Sequence, residues 1–468
     1  MRVSGRDATA RPNLVGARSA DSSPRPARGT LWVGFLWLML WGGYNTSFER
    51  LLEPGFPRNA LDLLHGLRAL LPMLAGWLAI LTLLARGALP RRAYAGPLGQ
   101  FGLYALIGML SSLLMSREPL TALYWGVQYA SVILVLWVSL SEDDPLSRVA
   151  RLIKLNWIIV VLLATAILSA IWFDPDVKLQ PGGLLLVQPP GGGASPSAQL
   201  FGMDTTRSTG AGRYAAIAGL AAFARLWQGT ARSRIIWAFV LLFSVYGIVL
   251  LQARTALLAF LAGAFLLLWL RRSLRPLFLA GVPVAGLLLA LTGSYQAFWL
   301  YLTRGVPFNP TLTGRTVTWQ AGWALFQESP WLGLGFHADR IFLGGQHMHN
   351  ALLHALVQTG VLGTIPYVAA IVGAWILVVR FYVIRSPKGV LPMPIEIPAV
   401  LAFFTISSIT ESTFAFFGTP WLLSAPLRAF VQVLAWQSRR SRSAIGVAPR
   451  ARMCGVQPRL LAPGAQGR

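Results

Sequence analysis

The sequence predicts an all-α, polytopic integral membrane protein, and three observations lead there. Of 468 residues, 55% are hydrophobic and only 12% charged, about half the charge of an ordinary soluble domain. The apolar residues fall in long blocks parted by short charged hinges. The basic residues, which set the net charge at +24, gather at alternate ends of those blocks. A soluble chain this basic would suggest nucleic acid, but the placement of the charges speaks for a membrane, and no aromatic-basic stacking pattern argues otherwise. The mean hydropathy of +0.58 excludes a disordered chain. A single cysteine, Cys454, excludes a disulfide framework and a cysteine-built metal centre.

A helix crosses the hydrocarbon core with about 20 mostly apolar residues. Residues 1–30, with six Arg among many Ala, Ser, Pro and Gly, read as a disordered basic cytoplasmic tail. The block from Leu31 to Tyr44 shows no small-residue cleavage site and is expected to remain as the first helix. Further spans begin near Leu67, Leu98, Leu120 and Leu152, then near Tyr214, Ile235, Ala256 and Pro276, which places nine helices in residues 31–293. A large outer loop covers 294–350. Spans near Val361, Ile397 and Thr419 occupy 351–437, and 438–468 is a second basic tail. The expected total is about twelve, with the large loop between the ninth and tenth.

With both termini inside, 28 of the 40 basic residues lie on inner segments and ten on outer ones, while Arg68 and Arg428 fall within spans. Every inner loop carries three, as in Arg86, Arg91 and Arg92. That bias marks the cytoplasmic side. The tails would meet an anionic leaflet, so membrane lipids, and no nucleic acid, are the partners expected of the charge.

Two outer segments are long. Trp172 to Thr209 contains Pro181-Gly182-Gly183 and a Pro-Pro-Gly-Gly-Gly run from Pro189, a linker by composition. In the large loop, Trp319, Trp323 and Phe326 recur at the spacing of one helical face, so a helix over 316–328, ended by Pro330, lies on the membrane surface, caps a cavity or simply packs. Arg254 stands in the only polar break between two apolar runs. A lone charge at a helix start and at bilayer level is costly, and the helix dipole there is already positive. Arg207 and Arg315 have similar settings. Each alone reads as snorkelling; together they describe a grip for a phosphate or pyrophosphate, which guanidinium holds bidentately.

His347, His349 and His354 share the outer side. Zinc is disfavoured, because the gap from 349 to 354 is not a helical pair's spacing and no cysteine or nearby carboxylate completes a set. No metal is assigned. An imidazole with a pKa of about 6.5 can take a proton from a hydroxyl near neutral pH, which makes His349 a candidate base. Asn350 can equally cap the following helix, with His349 its neighbour. Asp174-Pro175-Asp176 has the D-x-D look of sugar-transferring metal sites, although a Pro-centred acidic pair is more often a turn. Glu411 falls within a span and is a functional suspect with no partner identifiable in sequence.

From Arg254 to Tyr367 the residues resemble the O-antigen ligase and O-antigen polymerase superfamily of bacterial envelope enzymes. Gly314-Arg315, Trp319, Ala324-Leu325 and Pro330-Trp331-Leu332-Gly333-Leu334-Gly335 are similar to the family's large outer loop. His349-Asn350, nine residues, then Gly360-Val361-Leu362-Gly363 is similar to its His-Asn element and spaced glycines. Arg254 stands where the family has Ser-Arg, with Ala253 in place of the serine. Arg207 with Gly210 resembles its arginine-glycine element, followed here by Arg213-Tyr214-Ala215 in place of Asn-Pro.

The resemblance implies transfer of a glycan from a polyprenyl (undecaprenyl-type) pyrophosphate carrier to an acceptor hydroxyl. The site would face the periplasm from the bacterial inner membrane and use neither metal nor other cofactor. It implies catalytic roles for His349, Arg254 and Arg207: the arginines hold the pyrophosphate and offset charge growing on it, in the manner of an oxyanion hole, while His349 deprotonates or orients the acceptor. Arg315, Asn350, Arg213 and His347 are expected to bind substrate. The acceptor implied is a lipid A core or a polysaccharide. A ligase is favoured, and an O-antigen or exopolysaccharide polymerase with the same site is the alternative. A small-anion transporter, which should show internal repeats and interrupted mid-membrane helices, is a further alternative; against it stand the lack of a visible repeat and the gathering of ionisable residues on one face. An envelope scaffold would need neither the arginines nor the histidine.

Overall fold

The computed structural model describes residues 28–44, 51, 55–57, 60–87, 91–173, 177–180, 183–186, 208–226, 230–251, 253–271, 275–296, 315–384 and 394–446. Helices α1 (Arg28–Gly42), α2 (Ala60–Arg68), α3 (Leu71–Ala85) and α4 (Arg91–Tyr94) lead into α5 (Pro97–Met115), α6 (Pro119–Ser141) and α7 (Pro145–Phe173). A hairpin of β1 (Val177–Gln180) and β2 (Gly183–Leu186) precedes α8 (Ser208–Leu226), α9 (Ala231–Leu250), α10 (Arg254–Leu270) and α11 (Arg275–Leu291). Then come α12 (Arg315–Glu328), α13 (Ala338–Phe342), α14 (Ala351–Val379), α15 (Glu396–Ser407) and α16 (Thr419–Gly446).

Among the described residues, six stretches are long and apolar enough to cross a membrane: Gly66–Ala85, Pro97–Met115, Pro119–Ser141, Pro145–Ser169, Ala231–Leu250 and Ala351–Tyr382. Shorter apolar helices lie at Leu31–Gly42, Arg254–Leu270, Leu279–Leu288 and Glu396–Ser407. The chain is a multi-pass, overwhelmingly helical membrane protein. The hairpin corrects the linker reading: β1 pairs antiparallel with β2, Val177 opposite Leu186 and Gln180 opposite Gly183. The alternating Val-Lys-Leu-Gln and the apolar run after Gly183 already carried a strand pattern.

Aromatic side chains tie the central helices together. Tyr129 of α6 stacks on Trp421 of α16 at 4.7 Å and 3°, and Phe101 of α5 meets the same indole edge-on at 4.7 Å. Such pairs contribute about 0.5–1.5 kcal/mol each beyond their buried area. Small residues bring backbones close where no hydrophobic force does so in lipid. A Cβ on Gly76 of α3 would lie 2.2 Å from the Ser131 hydroxyl of α6.

Two irregularities build the site. Gly360 interrupts α14 with φ 57° and ψ −163°, a conformation open chiefly to glycine. The break frees backbone groups, and the segment after α12 pairs with them. Leu334 and Gly335 donate to the carbonyls of Val357 and Gln358 at 2.8 and 2.9 Å, while Val361 and Leu362 donate to Pro330 and Trp331 at 2.8 and 3.2 Å. The approach is so close that a Cβ on Gly360 would sit 2.3 Å from the Trp331 carbonyl. The exchange of backbone bonds satisfies the broken turn inside the protein and clamps the segment between α12 and α14 to the bundle.

The second irregularity is the connection between α15 and α16. Hydropathy placed Glu411 inside a span; instead α15 stops at Ser407 and Glu411 lies in a buried non-helical stretch before Thr419. Ser and Thr compete for backbone groups, and here Ser408 Oγ donates to the Thr405 carbonyl at 2.6 Å. Deeper in, Tyr367 donates to the Thr413 carbonyl at 3.0 Å and Tyr104 to that of Ala415 at 2.8 Å.

Candidate active site

Glu411 is the hub. Its Oε1 accepts from Arg315 at 3.1 Å, and its Oε2 lies 3.8 Å from an Arg213 guanidinium nitrogen and 3.4 Å from His349 Nδ1. Four elements meet there: α8 carries Arg213, α12 opens with Arg315, the turn before α14 carries His349, and the α15–α16 connection carries Glu411. Burial alone would raise the Glu411 carboxyl. The His349 hydrogen bond, the Arg213 charge, the His349 charge and the Arg315 charge overcome it and hold the group down at about 2. The carboxylate is therefore ionised throughout the physiological range.

Local structure explains the aim of each group. His349 has a left-handed backbone, φ 52°, an arrangement that costs a non-glycine residue about 1–3 kcal/mol and tends to mark functional sites. Asn350 next to it is the N-cap of α14, accepting from the Leu353 N–H at 2.9 Å while its amide donates to the Ile409 carbonyl at 3.2 Å. Its side chain is thus committed to capping, the bland reading offered by the sequence. Arg213 reaches the site because Gly212 lets α8 touch the start of α10, where a Cβ would come within 2.2 Å of Ala253.

Arg254 is half-buried at the first turn of α10, behind an N-cap Ala253 that offers no side-chain acceptor. Thr255 and Thr410 hydroxyls lie 3.3 Å apart, so the residues after Arg254 and before Glu411 are in contact. Arg207, Asp174 and Asp176 lie outside the described residues. The Trp319–Phe326 face is partly as expected. Trp319 donates to the Met348 carbonyl at 3.0 Å and Gly322 and Leu325 are buried, but Trp323 is exposed.

His347 turns away from Glu411 to a second cluster. Its Nδ1 is 3.0 Å from Asp339 Oδ2, and His354 Nε2 is 3.3 Å from Asp339 Oδ1. The rings of His347 and His349 are 5.0 Å apart, so the clusters adjoin. Sequence reasoning missed Glu411 as the hub and Asp339 altogether. Glu411 did carry a signal, a carboxylate in an apolar run, but its partners are separated from it by 62 to 198 positions.

Residues 239–368 match the family described as O-antigen ligase. The exopolysaccharide production protein ExoQ of Rhizobium meliloti (strain 1021) is 24% identical over 233 residues, 45% of this chain. The alignment covers 54% of ExoQ, so the chain spans about half the length of that relative. The family match encloses Arg254, Arg315, His347, His349, Asn350 and the Gly360 break, and leaves Arg213 and Glu411 outside. Over residues 239–368, which hold most of the site, the chain is therefore similar to the O-antigen ligase family.

Proposed function

We propose that this chain transfers a glycan from a polyprenyl pyrophosphate carrier to an acceptor hydroxyl at the outer face of the bacterial inner membrane, in the manner of an O-antigen ligase. The observation that carries the reading is the convergence of Arg213, Arg315 and His349 on Glu411. Two guanidinium groups against one carboxylate leave a net positive charge, and Thr255, next to Arg254, touches Thr410, next to Glu411. A diphosphate draws the arginines from Glu411 and receives charge-assisted, bidentate hydrogen bonds. Glu411, kept ionised, accepts the Nδ1–H of His349 and leaves Nε2 bare to take the acceptor's proton. The acceptor oxygen then bonds to the anomeric carbon as the bond to the diphosphate oxygen breaks. The electron pair leaves on the lipid diphosphate, where the arginines stabilise it, and attack from the opposite side inverts the configuration. No step requires a metal.

The same reading takes twelve crossings, both termini cytoplasmic and the 294–350 loop periplasmic. It uses Arg254 and Arg207 on the diphosphate, with Asn350 shaping the entrance through its cap. A polymerase on the same site is the second reading, and the exopolysaccharide production relative favours it. Purified protein in liposomes, given a polyprenyl-pyrophosphate glycan and either a lipid A core or a polysaccharide acceptor, separates them. A single added band per acceptor is expected; a ladder of lengths would give the polymerase. No lipid pyrophosphate released with any acceptor would overturn both.

A further inference from the structure

We propose that Asp339, His347 and His354 form a binding site for a divalent ion of the zinc class, separate from the transfer site and independent of the function proposed above. The three residues arrive from α13, from the loop before α14 and from the second turn of α14. Their donor atoms all lie within 4.8 Å of one another, with two separations of 3.0 and 3.3 Å. Nitrogen and oxygen ligands sit about 2.0–2.2 Å from zinc, so tetrahedral ligand atoms stand roughly 3.4 Å apart. Two of the separations are already near that value.

Charge points the same way. The Asp339 side chain is 1% exposed, and its ion-pair partners among the described residues are the two histidines. Backbone N–H groups of Arg340 and Met348 hold its two oxygens, at 3.0 and 3.1 Å, so each oxygen turns its remaining lone pairs toward a histidine nitrogen. An enclosed carboxylate gains from a cation held against it.

His354 adds an unmet demand. It is 1% exposed and its Nδ1 has no hydrogen-bond partner. Its Nε2 lies 3.3 Å from an Asp339 oxygen and also meets the Gln358 amide nitrogen; a cation between ring and carboxylate would take one coordinate bond from each and release that amide. Two imidazoles and one carboxylate select zinc-like borderline ions over magnesium or calcium. The carboxylate that the sequence reading found wanting is Asp339, eight positions before His347. An ion there would pin the loop that presents His349, whose ring is 5.0 Å from His347.

The test uses the full chain in detergent, with any histidine tag removed, stripped by a chelator and titrated with cobalt(II) alone. Visible d–d absorption saturating at one equivalent and erased by zinc is expected. His347→Gln should weaken cobalt binding by more than about 100-fold, a loss at or above that of second-shell changes, whereas His349→Gln leaves it unchanged. Absence of one-equivalent absorption in the unaltered protein would overturn the proposal even if an Asp339→Asn variant fails to fold. Equal binding by His347→Gln would overturn it as well. Neither readout depends on glycan transfer.

Discussion

At the residue scale, Glu411 decides what its neighbours can do. Its folded-state pKa of about 2 lies below the ordinary carboxylate value of 4.5, so its pairing stabilises the fold above pH 4.5 and is lost as pH falls from there to about 2. The shift corresponds to roughly 3 kcal/mol near neutrality. Glu411→Gln should therefore lower the thermal midpoint at pH 7, with the gap from the parent protein closing as the pH approaches 2–3. A gap that stayed constant with pH would mean that the carboxylate is not ion-paired. Removal of the imidazole in His349→Ala should cut turnover by about 10²–10⁴-fold, the range for a general base, with circular dichroism unchanged. Arg213→Ala should cost about 10²–10³-fold, as for loss of one donor to a developing anion, and Arg213→Lys should recover little of it, since lysine lacks the bidentate fork. Of the residues around Glu411, Arg315 at a helix start and His349 before a cap were legible in sequence, because short-range position defines them. The partner that unites them was not. Glu411 meets them only through long-range packing, and its apolar surroundings disguised a connection as a span.

At the element scale, the glycines carry the architecture. The Pro330–Gly335 pattern was visible as a motif, but its cause was not: it docks on a helix that Gly360 has broken, and only three-dimensional contact shows which backbone groups trade partners. Gly360→Ala should detach the Pro330–Gly335 segment from α14. The expected readouts are faster amide exchange at Leu334 and Gly335 and a thermal midpoint lower by several degrees; unaltered exchange would place the clamp elsewhere. A contrasting element is α16, where Arg428 lies buried with Nε and Nη1 unpartnered and its guanidinium 4.0 Å from the Phe414 ring centre. Cation–π contacts return about 0.5–2 kcal/mol, less than the several kcal/mol of taking an ion out of water. Arg428→Met should hold or raise the thermal midpoint. A large loss would show that the charge is balanced by a bound group.

At the scale of the whole molecule, hydropathy and the alternation of arginines made the membrane class legible, because both are properties of composition and order rather than of contact. Crossing number is harder, since α10 and α15 are apolar but short, and a packed core can absorb a short helix that lipid alone would not hold. The central claim is that Arg254, Arg315 and His349 belong to one anion-binding site open to a single side of the membrane. Single cysteines at 254, 315 and 349 in a Cys454→Ser background, labelled with an impermeant maleimide in sealed right-side-out vesicles, test it directly. All three should label from the outer side, and inorganic pyrophosphate should slow each reaction. Labelling of positions 254 and 349 from opposite sides would contradict it.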